Sequence, residues 1–114
     1  MLFYRIAIIL FKILRLRETN LFRIKFVTNT TKESKSHLFN LLKSLGLEIE
    51  LNEIFSSLSA ARQLIDKENL RPMLFLEDEA LEDFCDVNTN DPNAVVIGLA
   101  PNKFDYENLN KAFK

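Results

Sequence analysis

The chain has 114 residues, of which 47% are hydrophobic and 27% charged, and its formal net charge is −1. This length suits one domain, and the presence of only 2 Gly and 3 Pro excludes a linker or a low-complexity protein. The single Cys85 excludes an internal disulfide framework and favours a reducing compartment, so we expect a cytoplasmic protein. With one Cys and one His, we expect no structural zinc site.

Charge is distributed unevenly along the chain. Residues 1–43 carry nine Lys or Arg and two Glu, whereas residues 44–114 carry six Lys or Arg and fourteen Asp or Glu. Such asymmetry is typical of an end that faces nucleic acid or a membrane, or of a first segment that does not belong with the rest. Of these alternatives, we expect no nucleic-acid partner.

Residues 1–17 are apolar and basic, but their uninterrupted apolar run extends only from Ile6 to Phe11. A transmembrane helix needs about 20 apolar residues, and no small-residue cleavage site of a signal peptide follows the run. We interpret the segment as a buried strand or helix with charged ends. A basic amphipathic helix lying on a membrane is the less favoured alternative.

The next segment predicts a strand followed by a helix. Arg23 to Val27 supply β-branched and aromatic residues, which are typical of a strand. Thr30 and Glu33 match the S/T-x-x-E capping box, so we predict that Thr30 caps a helix over residues 31–45. Gly46 then stands at the position expected after the helix. The helix carries an apolar stripe with i, i+3, i+4 and i+7 spacing: Leu38, Leu41, Leu42 and Leu45.

This strand and helix predict half of a phosphate site. Thr28 and Asn29 come at the carboxyl end of the strand, where ligands of open α/β sheets bind. A helix beginning at Thr31 would offer free backbone N–H groups and a partial positive charge, both of which suit a phosphate.

Residues 47–71 give weaker signals. Leu47 to Leu51 alternates between apolar and acidic residues, which indicates a short strand or an extended connection. Glu53 to Leu58 is interpreted as a helical turn. Ser59 is then predicted to cap a helix over Ala60 to Lys67, a segment rich in good helix formers.

The last third alternates between strands and helices. We predict a buried strand over Met73 to Leu76, a helical turn over Ala80 to Phe84, a loop over Asn88 to Asn93, a second buried strand over Ala94 to Gly98 and a helix over Asp105 to Phe113. Strands separated by helices indicate α/β units and a parallel sheet.

Together these segments resemble a known family. FVTNTTKES, EIFSSLSAARQLI, RPMLFLEDEALEDF, DPNAVVIGLAP and NLNKAF resemble the haloacid dehalogenase superfamily of phosphatases, over roughly Lys25 to Lys114. The resemblance implies a partial Rossmann-like core, with the motif-two strand and helix, running into an α/β cap. Residues 1–24 would be an atypical apolar and basic segment, residues 25–71 the partial core and linker, and residues 72–114 an incomplete cap.

The resemblance also implies a chemistry. These phosphatases use an Asp nucleophile in an Asp-x-Asp motif, form an aspartyl-phosphate and require Mg²⁺. Thr28 matches the Ser/Thr that holds the phosphoryl group, and Asn29 and Thr30 occupy the adjoining positions, so we predict that all three bind phosphate. No Asp precedes Asp66, so no catalytic residue and no metal ligand is assigned. We therefore expect a truncated or partial member of a phosphatase family that is not active by itself.

The implied partners follow from the same family. The complete protein would take a phosphorylated small molecule or a phosphoprotein as substrate, and a homo-oligomer is possible. A different class of function is an interaction module that has no catalytic activity and binds a full-length relative, because a domain lacking part of its sheet exposes strand edges.

Three other features receive structural interpretations. Cys85 is expected to be an inert thiol, and His37 to face solvent on its helix. Spaced carboxylates after the third predicted strand are interpreted as a solvated loop and helix start rather than a metal site: Glu77, Asp78, Glu79, Glu82 and Asp83.

Overall fold

The computed structural model of the chain describes residues 25–114, so the predictions for residues 1–24 lie outside the described residues. Within that range, strands and α-helices alternate: β1 (Phe26–Thr28), α1 (Lys35–Ser44), β2 (Ile54–Ser56), α2 (Ser57–Glu68), β3 (Pro72–Phe75), α3 (Asp78–Leu81), β4 (Ala94–Ile97) and α4 (Tyr106–Phe113). Short 3₁₀ helices cover Leu51–Glu53, Glu82–Phe84 and Pro101–Lys103.

All strand pairs among the described residues are parallel. β1 pairs with β2, placing Phe26 opposite Ile54 and Thr28 opposite Ser56. β3 pairs with β4 over four residues, from Pro72 opposite Ala94 to the pair at the carboxyl end. Because a helix lies between the strands of each pair, the α/β class with parallel pairing is confirmed. In this part of the chain the strands form two separate two-stranded sheets.

Helix α1 begins four residues later than predicted. Its N-cap is Ser34, whose Oγ accepts the backbone N–H of His37 at 3.2 Å, so the prediction that Thr30 caps a helix starting at Thr31 is wrong. The physical reason is a contact remote in sequence. The carboxylate of Asp83 accepts the N–H of Lys35 at 3.0 and 3.1 Å, which satisfies the first turn of a helix that begins at Lys35.

The end of α1 follows the prediction. Gly46 has a φ of 90°, a left-handed conformation that costs glycine little. Its N–H donates to the carbonyl of Lys43 at 2.9 Å, and the N–H of Leu47 donates to that of Leu42 at 3.2 Å. These two bonds form a Schellman motif, which satisfies carbonyl groups left free by the helix end.

Strand β2 occupies residues predicted to be a helical turn. Ile54–Ser56 is extended, and Ile54 is only 1% exposed, because its pairing with β1 places it against α1. The prediction of a helical turn over Glu53 to Leu58 is therefore wrong for Ile54–Ser56, whereas Ser57 and Leu58 are helical. α2 consequently begins at Ser57 with Ser56 as its N-cap, and not at Ala60 with Ser59 as its cap.

The described residues form two apolar clusters. One joins α2 to the region after β3 and contains Leu58, Ile65, Leu76, Ala80 and Phe84, all buried. The other joins β1, β2 and α1 around Ile49 and Ile54, with Phe26, Leu38, Phe39, Leu42 and Leu47 packed against them. The first cluster draws on both sides of the predicted boundary between residues 71 and 72, and that division stays a prediction.

The apolar stripe of α1 is only partly used for packing. Leu38 and Leu42 contact the second cluster, but Leu41 and Leu45 remain 45% and 41% exposed. The stripe therefore predicts the helix correctly, but within residues 25–114 only half of its leucines pack against other elements.

The remaining elements agree with the sequence. β3, β4 and α4 lie within one residue of their predicted bounds, and the loop at residues 88–93 has no regular structure. Residues 80–84 are helical, as predicted, and form the end of α3 and a 3₁₀ turn. Across residues 25–114, no helix is both long enough and apolar enough to cross a membrane.

Candidate functional site

The candidate site lies where β1 and β2 end. Thr28 is the last residue of β1 and pairs in register with Ser56, the last residue of β2, so two hydroxyl side chains meet at the carboxyl edge of a parallel sheet. Thr28 is half-buried, and its Oγ1 accepts the backbone N–H of Thr30 at 3.3 Å. This bond folds the chain into a tight turn immediately after the strand.

Asn29 connects this turn to helix α2. The hydroxyl of Ser57, the first residue of α2, donates to Asn29 Oδ1 at 3.5 Å. The hydroxyl of the preceding residue, Ser56, caps α2, because its Oγ accepts the N–H of Ser59 at 3.1 Å. The three predicted phosphate-binding residues, Thr28, Asn29 and Thr30, thus lie beside the N-terminus of α2. The side chains available here are neutral hydroxyl and amide groups, which suit the oxygens of a phosphate.

The N-terminus of α1, by contrast, is already occupied by carboxylates. Glu82 accepts hydrogen bonds from Ser34 Oγ at 2.9 Å and Ser36 Oγ at 2.7 Å, and Asp83 accepts the N–H of Lys35. The prediction that this helix begins at Thr31, with free N–H groups directly after Asn29 and Thr30, is therefore wrong, and phosphate binding by residues 28–30 stays a prediction. The first turn of α1 is thus bonded to its N-cap Ser34 and to the carboxylates of Glu82 and Asp83. The helix N-terminus beside the strand ends is that of α2, where Ser57 contacts Asn29.

The pKa values of the Glu82 and Asp83 side chains are shifted in opposite directions. The hydroxyl donors of Ser36 and Ser34 hold the pKa of Glu82 below its ordinary value, because they stabilise the ionised form. Burial raises the pKa of Asp83, and the N–H of Lys35 opposes that effect. Two members of the acidic run therefore have a structural role, because they accept hydrogen bonds from residues 34–36 at the start of α1.

No metal centre is formed by the part of the chain that the structure describes. Residues 25–114 hold no group of three or more His, Cys, Asp or Glu side chains that could bind a metal ion. No ligand of the Mg²⁺ implied by the family resemblance is therefore assigned among these residues, and no chemical step is derived through the ion. His37 is exposed, as predicted, and Cys85 is an exposed free thiol.

Sequence reasoning missed the second half of the site. Ser56 and Ser57 were assigned to a helical turn, although their signal was present in the sequence. The apolar pair Ile54–Phe55 followed by three serines within four residues is typical of a short strand leading into an N-cap.

The fold and the motif-two strand end define a class of protein. The family description "Haloacid dehalogenase-like hydrolase" matches residues 10–90, and the chain belongs to this family. The resemblance seen in the sequence begins at about Lys25, whereas the family match begins at residue 10. The family pattern therefore includes residues 10–24.

Curated relatives carry more specific names. Haloacid dehalogenase-like hydrolase domain-containing protein 2 of Mus musculus is 57% identical over 100 residues, which cover 88% of this chain and 38% of the relative. Phospholysine phosphohistidine inorganic pyrophosphate phosphatase of Homo sapiens is 35% identical over 100 residues, covering 88% of this chain and 37% of the relative. The chain thus spans a little over one third of the length of these relatives.

A solved structure shares the fold. The 4-nitrophenylphosphatase of Thermotoga maritima superposes with a TM-score of 0.65 at 20% sequence identity, covering 77% of this chain and 36% of that protein. At this identity the likeness establishes the architecture alone.

Proposed function

We propose that residues Thr28 to Thr30 form the phosphate-holding loop of a phosphatase, to which this chain contributes part of the core and part of the cap. The observation that carries the proposal is the position of the Thr28 hydroxyl. It lies at the carboxyl end of β1, beside Ser56 at the carboxyl end of β2, in a family whose curated relatives include a phosphatase. The substrate class is accordingly a phosphorylated small molecule or a phosphoprotein.

The geometry of Thr28 supports this role. Its Oγ1 already accepts the N–H of Thr30, which leaves the hydroxyl proton to be donated to a phosphate oxygen. Asn29 is exposed and its Oδ1 accepts from Ser57, so its side-chain NH₂ can be directed outward as a donor. A phosphate at this edge would therefore receive neutral donors from the loop.

We propose that this chain alone does not hydrolyse phosphate esters. No Asp precedes Asp66 in the sequence, so the Asp-x-Asp nucleophile of the family has no counterpart ahead of β1. Mg²⁺, where the complete family member binds it, would offset the charge of the phosphoryl group. Its ligands are proposed to lie outside residues 25–114.

The test combines binding with turnover. The chain is incubated with p-nitrophenyl phosphate and Mg²⁺, and separately titrated with inorganic phosphate while backbone amide shifts are followed by NMR. We expect no turnover, and phosphate-dependent shifts centred on residues 28–30 that Thr28→Val abolishes. Thr89→Val, in the exposed loop at residues 88–93, is the matched control. Turnover that Thr28→Val removes would refute inactivity, and a titration without shifts at residues 28–30 would refute the phosphate site.

A second candidate is self-association through uncovered apolar surface. Val27 on β1 is 73% exposed and Ile97 on β4 is 57% exposed, although both lie in strands, where apolar side chains normally pack. Sedimentation velocity over a range of concentrations tests this candidate. A dimer that Val27→Lys dissociates would support it, and a monomer at all concentrations would refute it. The alternative of an interaction module that binds a full-length relative is tested separately by a pull-down, and failure to retain the relative would refute that alternative.

We also propose a reducing, cytoplasmic location. The support is the single Cys85, which is exposed and has no second Cys in the sequence to pair with. Cell fractionation followed by thiol labelling tests it, and a species found oxidised in a secretory compartment would refute it.

A further inference from the structure

The chain directly after the Thr28 to Thr30 turn is held by a segment remote in sequence. The backbone N–H of Leu99 donates to Thr31 Oγ1 at 2.9 Å, across 68 residues of sequence. Leu99 follows Gly98, whose N–H donates to the carbonyl of Phe75 at 3.0 Å and so continues the pairing of β3 with β4. Thr31 is therefore bonded to the ordered end of a sheet.

Gly98 makes this approach possible. A Cβ placed at Gly98 would lie 3.1 Å from Thr31 Cβ and 3.2 Å from the Thr31 carbonyl oxygen, and 2.7 Å from Leu76 Cδ2. The contact with Leu76 is with the end of a flexible side chain, whereas the contacts with Thr31 are with its Cβ and its backbone carbonyl oxygen. A side chain at residue 98 would meet both Leu76 and Thr31, and Thr31 would have to shift by a few tenths of an ångström to admit it.

The two ends of the candidate phosphate loop are thus fixed independently. Thr28 is fixed by its pairing with Ser56, and Thr31 is fixed by the Leu99 N–H and the close packing of Gly98. Only Asn29 and Thr30 lie between these anchors, so neither has much freedom to move. A loop that is ordered before binding does not lose that freedom when a ligand binds, which raises its affinity.

We propose that Thr31 and Gly98 are positioning residues, which hold the Thr28 to Thr30 loop in its phosphate-binding conformation through the carboxyl end of β4. This inference rests on the proposed function, because it assigns a role to neighbours of the same site. It also predicts coupling in both directions: phosphate at the loop protects the Leu99 amide, and loss of the Leu99 bond weakens phosphate binding.

Three substitutions separate this role from general stability. Thr31→Val keeps the shape of the side chain and removes the oxygen that accepts the Leu99 N–H, whereas Thr31→Ser keeps that oxygen. Gly98→Ala adds the Cβ that displaces Thr31. Thr89→Val in the exposed loop again serves as the matched control.

The experiment measures inorganic phosphate affinity and the exchange rate of the Leu99 amide by NMR, on the whole chain, together with the urea midpoint of each variant. We expect Thr31→Val to weaken phosphate binding by about 3- to 10-fold, the range given by loss of one hydrogen bond. The Leu99 amide should exchange faster in this variant and slower in wild type when phosphate is added. Thr31→Ser should restore both values to within about twofold of wild type, and Gly98→Ala should weaken binding as Thr31→Val does.

Each other outcome decides against the inference in a distinguishable way. Wild type that binds phosphate with an affinity unchanged by Thr31→Val would overturn the positioning role and leave the proposed function standing. An unchanged Leu99 exchange rate in Thr31→Val would show that the bond does not hold the loop. Wild type without phosphate binding would overturn the proposed function, and this inference with it.

Discussion

The guanidinium of Arg62 on α2 binds the carboxylate of Asp86 through two parallel hydrogen bonds, Nη1 to Oδ1 at 2.6 Å and Nη2 to Oδ2 at 3.0 Å. Nη1 also donates to the carbonyl of Asp83 at 2.9 Å, and Nε donates to Asp66 at 3.0 Å. The hydrogen bond from Arg62 is the main reason that the pKa of Asp86 is lowered. One side chain therefore ties α2 to the segment that caps α1.

Arg62→Met is expected to lower the free energy of unfolding by about 1–3 kcal/mol, since it keeps the apolar stem and removes hydrogen bonds to charged and backbone groups. Urea unfolding followed by circular dichroism measures this change. The control is Lys67→Met, because Lys67 meets Glu68 only at 3.9 Å and is 79% exposed. Its effect should stay within about 0.5 kcal/mol. Equal effects of the two substitutions would contradict the structural role of Arg62.

Phe84 is the largest side chain of the buried cluster that joins α2 to the region after β3, and it is 2% exposed. Phe84→Ala should lower the free energy of unfolding by about 3–5 kcal/mol. The substitution would leave a cavity between a helix and a sheet end, which cannot close fully around it. In a domain whose total stability is about 5–15 kcal/mol, much of the chain would unfold. Phe84→Leu gives a smaller, measurable loss, and Phe113→Ala is the control, since Phe113 is 94% exposed. Similar urea midpoints for Phe84→Leu and Phe113→Ala would place Phe84 outside the core.

The sequence predicted those elements whose local signal agrees with their tertiary setting. β3 and β4 are short apolar runs bounded by Pro72 and by a loop dense in turn residues, and both were located to within one residue. β2 was missed because it has three residues, too few for a periodic signal. Its extended form depends on pairing with Phe26–Thr28, which lies 28 residues earlier in the register.

The candidate site shows the same division. Thr28 at a strand end could be placed from sequence, because the β signal of the preceding residues is local. The start of α1 could not, because Asp83 satisfies the N–H of Lys35 from 48 residues away and makes the Thr30 cap unnecessary. The contact of Ser57 with Asn29 likewise could not be predicted from the sequence, because it follows from the pairing of β1 with β2.

Ser34→Ala and Thr30→Ala distinguish the observed cap of α1 from the one predicted by the capping box. Ser34 is 1% exposed, accepts the N–H of His37 and donates to Glu82, so its loss should cost about 1–2 kcal/mol. Thr30→Ala should cost less than about 0.5 kcal/mol, because within residues 25–114 the hydrogen bond of Thr30 is made by its backbone N–H, to Thr28 Oγ1. Urea midpoints of the two variants provide the comparison. A larger loss for Thr30→Ala would restore the predicted cap.

Glu82→Gln tests the hydroxyl donors that surround the Glu82 carboxylate. Ser36 and Ser34 lower its pKa from the ordinary value of 4.5, so the folded state favours the ionised form. Such a group contributes stability that is present above pH 4.5 and is lost as the pH falls through the lowered pKa of the folded state. We expect Glu82→Gln to be less stable than wild type near neutral pH, with a difference that closes in acid. A difference independent of pH in urea titrations would rule out this contribution.

Asp83→Asn should show the opposite dependence, although residue 83 adjoins Glu82. Burial is the main effect on Asp83 and raises its pKa above the ordinary 3.8, so the folded state binds the proton more tightly than the unfolded state. The stability from this group is fully present below pH 3.8 and is lost as the pH rises through the raised pKa of the folded state. Asn cannot ionise, and it keeps one oxygen to accept the N–H of Lys35. The variant should therefore gain on wild type as the pH rises through that window, measured as the difference in urea midpoints. A variant that instead loses ground with rising pH would mean that the bond from Lys35 outweighs burial at this carboxylate.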